Sequence, residues 1–251
     1  MTKEQINEAI ELLRDDNNYY GSYGKKFVSN SDVGTLIENP FAYGTQKEKT
    51  VPMVIGGYFH TLILEPDKVD KFRIIESTTR NTKVYKDLSE GEICLLEHEA
   101  DTVQKMRDVI LANDLCRYMI RGAEEEFSIV DYEVPGVTEI DGVWFKGKAD
   151  IINKDQNVIV DLKTTSDLGS FRRSAYKYNY DSQAYIYKQI FGLDMVFIAI
   201  DKTTHMLGIY DCSDGFLESG RQKVETAIAN YKLFVQDPDF DKDQYLINET
   251  L

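Results

Sequence analysis

The chain reads GKADIINKDQNVIVDLKTT from Gly147 to Thr165, with two apolar runs on either side of a polar turn. This pattern predicts a β-hairpin. Each predicted strand carries an aspartate, Asp150 or Asp161, where a buried strand usually carries an apolar residue. Lys163 follows Asp161 by two positions, so the two side chains share one face of the second strand. The hairpin therefore brings two carboxylates and an ammonium group into one small region.

Two carboxylates that lie close together and partly buried require a cation or a proton to balance their charge. Mg²⁺ meets this requirement, because it binds one or two protein carboxylates and takes water and phosphate oxygens as its other ligands. The carbonyl oxygen of Leu162, between Asp161 and Lys163, can add a neutral ligand. Lys163 would orient or deprotonate the attacking water, or stabilise charge on the phosphate. These residues predict a metal-dependent phosphodiesterase, although a lone aspartate at a strand end is usually a turn-forming residue.

Length and composition favour one large folded unit. The chain has 251 residues, of which 42% are hydrophobic and 29% charged, which provides enough apolar material for a core. No apolar run reaches the length needed to cross a bilayer, no secretory segment follows Met1, and the three scattered cysteines form no CxxC motif. We therefore expect a cytoplasmic protein with no membrane span and no iron–sulfur cluster.

The net charge of -14 argues against a protein that coats nucleic acid non-specifically, because such binding depends on many lysines and arginines. It does not exclude an enzyme with a local basic groove. Residues 163–188 carry five positive and two negative side chains, and the positive ones include Arg172, Arg173 and Lys177. This patch predicts phosphate contacts or, equally well, a solvated helix face.

Hydrophobic periodicity predicts helices in the first half of the chain and a sheet in the second. Helical spacing occurs over residues 3–14, 29–37, 51–64 and 92–120. Four strand candidates follow, over residues 126–132, 133–140, 143–152 and 158–163, with turns at Pro135-Gly136, Asp141-Gly142 and Asp155-Gln156-Asn157. A helix over 180–191, strands over 196–201 and 206–211, and a helix over 213–234 complete the pattern. We predict an α/β (α+β) fold with a central mixed β-sheet flanked by helices.

Two motifs together resemble a known nuclease core. Gly147-Lys148-Ala149-Asp150 followed by Asp161-Leu162-Lys163-Thr164-Thr165 resembles the PD-(D/E)XK nuclease superfamily, with Asp161-Leu162-Lys163 as the (D/E)XK element. The resemblance implies a restriction-endonuclease-like core.

Three further segments resemble narrower groups within that superfamily. Residues 56–66, GGYFHTLILEP, are similar to the helical motif of RecE-like phage and prophage exonucleases. Residues 126–129, EFSI, resemble the strand that carries a glutamate motif in that group. Residues 183–187, QAYIY, are similar to the glutamine–tyrosine helix of RecB-type nuclease domains. The resemblance covers residues 29–191, and the order and spacing of the motifs are more specific than any one of them.

The resemblance implies that His60, Asp150, Asp161 and the Leu162 carbonyl hold Mg²⁺ or Mn²⁺, since an imidazole ligand suits both. Judged by its apolar helix alone, His60 is an ordinary core histidine. Glu126 would lie at or near the metal. Glu125 is its alternative because strand register decides which of them faces inward, and a solvated run of three glutamates is the third interpretation.

Gln183 and Tyr187 are four residues apart and so share one face of a helix. The resemblance places both near the scissile phosphate, where Arg172, Arg173 and Lys177 would contact the DNA backbone. An amphipathic helix with a tyrosine at its edge is the alternative.

Three tyrosines lie in the polar segment near the N-terminus: Tyr19, Tyr20 and Tyr23. They could stack on unpaired bases, although an ordinary surface loop explains them as well. The iron–sulfur cysteines of CRISPR-associated and AddB-like relatives are absent, and so are the helicase motifs of full RecB proteins.

The resemblance thus implies a metal-dependent DNA exonuclease of phage or prophage origin that resects double-stranded DNA ends in the 5′→3′ direction for recombination. Its implied partners are DNA ends, a single-strand annealing protein and further copies of the chain, because relatives form rings around DNA. We expect one nuclease domain over residues 1–251, with a mainly helical part (1–120) that carries His60, a catalytic sheet core (121–235) and an acidic tail (236–251).

Two other functions remain open. The first is a structure-specific or restriction-type endonuclease of the same fold. The second is a non-catalytic DNA-binding assembly protein, which would be expected to have lost Asp150, Asp161 or Lys163, whereas all three are present.

Overall fold

The computed structural model of the protein describes residues 1–45, 48–123, 129–241 and 245–246. Glu125 and Glu126, the two candidates for the glutamate motif, lie outside the described residues. Their predicted place near the metal remains a prediction.

The described part of the chain contains ten α-helices. They are α1 (Lys3–Leu12), α2 (Asp16–Tyr20), α3 (Asn30–Glu38), α4 (Val51–Leu64), α5 (Lys83–Ser89), α6 (Glu97–Ala112), α7 (Asp114–Arg121), α8 (Phe171–Lys177), α9 (Tyr180–Phe191) and α10 (Asp214–Tyr231). Short 3₁₀ turns occur at Gly24–Lys26, Pro40–Ala42 and Pro66–Lys71, and a π-helical turn extends α10 at Lys232–Gln236. Among the described residues, no helix combines the length and apolar character that a bilayer crossing requires.

Seven strands form two sheets in the same described part. They are β1 (Ile74–Ile75), β2 (Leu95–Leu96), β3 (Val130–Ile140), β4 (Val143–Asn153), β5 (Val158–Thr165), β6 (Asp194–Asp201) and β7 (Leu207–Asp211). The short strands β1 and β2 pair with each other, whereas the main sheet has the order β3-β4-β5-β6-β7. All neighbours in the main sheet are antiparallel except β5 and β6, which are parallel and joined through α8 and α9. This five-stranded mixed sheet flanked by helices confirms the predicted fold class.

The main sheet is covered on both faces, as the apolar start of β5 predicts. Val160 and Leu162 point into a layer formed with α4, α6 and α7. Ile159, on the opposite face, packs with α3, α9 and α10. All three side chains are fully buried, and each contributes roughly 1.5–3 kcal/mol through removal of its surface from water. β5 is therefore fixed from both sides, and so are the charged residues that it carries.

Most of the predicted elements form close to their predicted positions. α9 occupies the predicted residues and ends at Gly192, whose φ of +70° allows the left-handed turn. Asp141 and Gly142 both have positive φ and join β3 to β4, as expected of a two-residue hairpin turn. The sequence interpretation missed α8, which follows the β4–β5 hairpin, and treated residues 92–120 as one helical region. Asn113 divides that region because its side chain caps α7.

The turn predicted at Pro135-Gly136 is wrong, because both residues lie inside the single strand β3. β3 is an edge strand, where a proline without an N–H group is tolerated. Gly136 serves close packing: a Cβ atom there would come within 2.3 Å of Ile190 Cγ2 on α9. Helix packing, and not chain reversal, explains this Pro-Gly pair.

The main sheet is irregular where Glu133 lies opposite Asp150. Both flanking pairs are regular, Tyr132 with Ile151 and Val134 with Ala149, but no pair forms between them. Glu133 has a φ of +51°, in the left-handed region that a glutamate rarely adopts. Tyr132 packs on one face of the sheet and Val134 on the other, although strand alternation would place them together. At this irregularity, the Glu133 side chain does not follow the normal alternation of a β-strand.

Candidate active site

The carboxylate of Asp150 joins three elements. β4 and β5 pair only from Ile151 onward, and beyond that point Asp150 Oδ2 accepts a hydrogen bond of 2.9 Å from the backbone N–H of Leu162. The same oxygen lies 3.1 Å from Nδ1 of His60 on α4. Two of the predicted metal ligands, His60 and Asp150, are therefore adjacent, and the Leu162 backbone lies beside them.

Glu133 completes a group that the sequence interpretation did not foresee. Ligand atoms of His60, Glu133 and Asp150 all lie within 4.8 Å of one another. Lys148 Nζ lies 3.6 Å from Glu133 Oε2 and partly balances its charge. The only signal in the sequence was a glutamate between Tyr132 and Val134. It could not be interpreted before the strand pairing and the positive φ were known.

Asp161 and Lys163 form the second part of the site, on the α9 side of β5. Asp161 Oδ2 lies 2.5 Å from Lys163 Nζ, and Asp161 Oδ1 accepts a hydrogen bond of 2.5 Å from Nε2 of Gln183. The Lys163 ammonium also lies 4.6 Å from the centre of the Tyr180 ring. Asp161 is not a member of the His60, Glu133 and Asp150 group. Of the four predicted metal ligands, His60 and Asp150 therefore lie together beside the Leu162 backbone, whereas Asp161 lies outside their group.

One oxygen of Asp161 is left without a hydrogen bond. The carboxylate is only 2% exposed, and among the described residues Oδ2 has no hydrogen-bond partner despite its closeness to Lys163. The Lys163 ammonium, 2.5 Å away, is the cation that balances this buried oxygen, although the contact lacks hydrogen-bond geometry. The imidazole of His60 and the carboxylates of Glu133 and Asp150 are the donor set that fits a hard divalent cation such as Mg²⁺ or Mn²⁺.

Tyr187 fixes the strand that carries Asp150. Its hydroxyl donates a hydrogen bond of 2.8 Å to the carbonyl oxygen of Lys148 and accepts one of 3.2 Å from the Lys148 N–H. Gln183, one turn earlier on α9, holds Asp161 through the hydrogen bond from its amide. The predicted pair therefore contacts the two strands of the hairpin, Gln183 on β5 and Tyr187 on β4.

The pKa values of the carboxyl groups differ because of their surroundings. Burial raises the pKa of Asp161 to about 6, and burial followed by the Asp150 charge raises the pKa of Glu133 to about 7. Burial also acts on Asp150, but His60 and Lys163 outweigh it and lower the pKa of that carboxyl. Burial alone would lower the pKa of His60, yet Asp150 raises it. Without a metal ion, protons therefore occupy part of the ligand set, and a cation would have to displace them.

A cavity of about 830 Å³ opens over this site. His60, Glu133, Asp150 and Tyr187 lie in its wall, together with Lys148. Asp161 and Lys163 are not part of the wall, since they lie behind Asp150 on the next strand.

The predicted DNA contacts lie on α8. Arg172, Arg173 and Lys177 are exposed, and none of them has an ion-pair partner among the described residues. α8 packs directly against α9, which carries Gln183 and Tyr187. Within the described part of the chain, no carboxylate neutralises these three charges, which lie on the side of the site formed by α9, although the Lys177 ammonium lies 5.6 Å from the centre of the Tyr178 ring.

Residues 40–239 match the PDDEXK-like domain of unknown function (DUF3799). The chain belongs to this PDDEXK-like family. The match includes His60, Asp150, Asp161, Lys163 and Gln183, and it confirms the resemblance inferred from the hairpin. None of the curated proteins matches the sequence.

Two solved structures align with this chain at low sequence identity. A candidate exonuclease from Eubacterium rectale aligns over 94% of this chain and 95% of its own, with 17% identity and a TM-score of 0.65. A phage-related exonuclease from Haemophilus somnus 129PT aligns over 84% of this chain and 95% of its own, with 15% identity and a TM-score of 0.37. The first of these likenesses supports the fold of the whole PDDEXK-like chain.

Proposed function

We propose that this PDDEXK-like protein is a Mg²⁺- or Mn²⁺-dependent DNA exonuclease that resects double-stranded DNA ends for phage-type recombination. One observation carries the proposal: His60, Glu133 and Asp150 gather within 4.8 Å, next to an Asp161–Lys163 pair on the adjoining strand. Carboxylates, an imidazole and an ammonium group are the parts that metal-assisted hydrolysis of a phosphodiester requires.

The metal would be held by His60, Glu133 and Asp150, and Asp161 and the Leu162 carbonyl are the further proposed ligands. When bound, it would lower the pKa of water and neutralise charge on the phosphate. Lys163, within 2.5 Å of Asp161, is placed to orient the attacking water or to stabilise the developing charge. Gln183 and Tyr187 keep the two strands in register with each other through their hydrogen bonds.

The cavity supports action on a DNA end. Its volume, about 830 Å³, lies within the range of small-ligand pockets, which suits the terminal nucleotides of one strand better than a duplex. Arg172, Arg173 and Lys177 would contact the phosphates of the neighbouring duplex. An acidic outer surface around such a basic contact would reconcile the net charge of -14 with a DNA substrate.

The proposed location, partners and oligomeric state follow from the family resemblance. It includes the cytoplasm as the location, a single-strand annealing protein as a partner and a ring-shaped homo-oligomer around the duplex. The domain division at residues 120 and 235 belongs to the same proposal.

Two DNA substrates of identical sequence test the proposal, one linear and one covalently closed. With Mg²⁺ or Mn²⁺ we expect loss of the linear duplex and no change in the closed circle, because an exonuclease needs an end. Linearisation or nicking of the closed circle would indicate an endonuclease. If neither DNA is cleaved with either metal, the proposed function is wrong.

A further inference from the structure

The cavity over the site has an exposed aromatic side chain in its wall, at the end of α2. Tyr20 is 69% exposed and lies in the same wall as His60, Glu133 and Asp150. The ring lies in the cavity wall and is open to solvent, so a planar group that enters the cavity can pack on it.

Tyr20 is held in place by the residue before it. Tyr19 is buried and packs with Phe27, Val137 and Trp144. Its ring meets that of Tyr20 edge to face at 5.0 Å between centres. Lys146 donates a hydrogen bond to the carbonyl oxygen of Tyr19 and lies 4.2 Å from the centre of the Tyr19 ring. The buried Tyr19 and its contacts therefore fix the position of the exposed Tyr20.

Lys148 connects helix α2, which carries Tyr19 and Tyr20, to Glu133 of the candidate metal site. Its ammonium lies 2.5 Å from Asp16 Oδ1 on α2 and 3.6 Å from Glu133 Oε2. The same ammonium lies 5.3 Å from the centre of the Tyr20 ring. One lysine thus positions α2 against β4, with the Tyr20 ring and the Glu133 carboxylate on either side.

The chemistry of the wall defines what can pack on the ring. Beside the Tyr20 ring, Lys148 is paired with Asp16 and Glu133, so these side chains offer little net charge to a phosphate, whereas a neutral planar group can pack on the ring. Nucleobases have this property, and stacking on an aromatic side chain accepts every base because each has a π-face. Phosphates can remain on the side of Lys25 and Lys71, two exposed lysines of the same wall.

From this arrangement we propose that Tyr20 stacks on an unpaired nucleobase of the strand that enters the cavity. The proposal rests on the proposed function, because it takes the occupant of the cavity to be DNA. It also specifies the state of the bound DNA end. The terminal base pair opens, and stacking on Tyr20 offsets part of the free-energy cost of unpairing. Mismatched or frayed ends are then better substrates than fully paired ones.

The test uses the chain of residues 1–251 in chelator, where the proposed metal-dependent cleavage should stop. The probe is a linear duplex with 2-aminopurine at its terminal position, opposite a mismatched base. The variants are Tyr20→Ala, Tyr20→Phe, which keeps the ring, and Tyr118→Ala, which removes an exposed tyrosine on α7 outside the cavity wall. Binding affinity and 2-aminopurine fluorescence are recorded for each, and cleavage of a plain duplex with Mn²⁺ is measured in parallel.

We expect wild type, Tyr20→Phe and Tyr118→Ala to quench the fluorescence on binding. Tyr20→Ala should abolish the quenching and bind the mismatched end at least about 5-fold more weakly, as expected when one base–aromatic stack is removed. Equal quenching by Tyr20→Ala, or loss of quenching in Tyr118→Ala as well, would overturn the stacking role. The parallel assay separates the two proposals: absence of cleavage contradicts the nuclease function, while the fluorescence still decides the role of Tyr20.

Discussion

Glu133 shows how one strained residue can shape a site. A positive φ in a residue other than glycine costs about 1–3 kcal/mol and persists only where the surrounding structure fixes it. Here the regular pairs of Tyr132 with Ile151 and of Val134 with Ala149 hold the strand on both sides. The result is a carboxylate that faces His60 and Asp150.

The raised pKa of Glu133 has a consequence for stability. The free carboxyl titrates near pH 4.5, whereas burial moves the folded pKa to about 7. Between these values the folded protein keeps a proton that the unfolded chain has released, so the free energy of unfolding falls as pH rises from about 4.5 to 7. In chelator, Glu133→Gln should therefore be more stable than wild type at pH 8, by about 3 kcal/mol at most.

Urea unfolding between pH 4.5 and 8 measures this difference. Glu139→Gln, an exposed position on the same strand, is the matched control and should follow the wild type. Added Mn²⁺ should raise the melting temperature of wild type more than that of Glu133→Gln, because the variant lacks one carboxylate ligand. If Glu133→Gln shows the wild-type pH dependence and the same Mn²⁺ response, the assigned environment of Glu133 is wrong.

At the scale of elements, α9 is positioned by a close contact with α10. A Cβ atom at Gly220 would lie 2.0 Å from the carbonyl oxygen of Asp181. The buried Asp181 carboxylate accepts hydrogen bonds of 2.7 Å from Ser219 and 2.9 Å from Lys223. These interactions hold α9, which carries Gln183 and Tyr187, against α10.

Gly220→Ala should push α9 and α10 apart. We expect a loss of about 1–3 kcal/mol in the free energy of unfolding, the usual cost of overpacking, together with reduced nuclease activity. Gly215→Ala on the same helix meets nothing within 4 Å and should leave both properties near wild type. Thermal unfolding and a nuclease assay on both variants provide the measurement. Equal behaviour of the two would show that the close approach at Gly220 does not position α9.

The elements also show what the sequence could predict. The alternation and the apolar run around Asp150 and Asp161 predicted the β4–β5 hairpin, and the same spacing placed Lys163 on the face of Asp161. Glu133 could not be found, because a positive φ reverses the alternation on which such predictions depend. Pro135-Gly136 was wrongly predicted to be a turn. The same two residues also suit an edge strand against which a helix packs closely, and the local sequence does not distinguish the two cases.

At the scale of the whole molecule, the net charge is -14, so any DNA binding depends on a few local cations. Removal of one phosphate-binding cation lowers the salt dependence of binding by about one unit of slope. The double variant Arg172→Ala/Arg173→Ala should therefore bind duplex DNA more weakly, with a slope of log K against log salt smaller by about two. Arg221→Ala is the control, because its guanidinium is paired with Glu218 and Glu225 on α10. An unchanged slope in the double variant would remove α8 from the DNA interface.

The catalytic role of the hairpin is tested most directly by the release of nucleotides from a linear duplex by wild type, Asp161→Asn and Lys163→Met, each with Mg²⁺ or Mn²⁺ and with chelator. Asp155→Asn, an exposed carboxylate in the hairpin turn, is the control, and thermal unfolding verifies that every variant is folded. We predict metal-dependent release by wild type and the control, and a loss of at least about 100-fold in the two site variants. Release that persists in chelator, or site variants as active as wild type, would contradict this role.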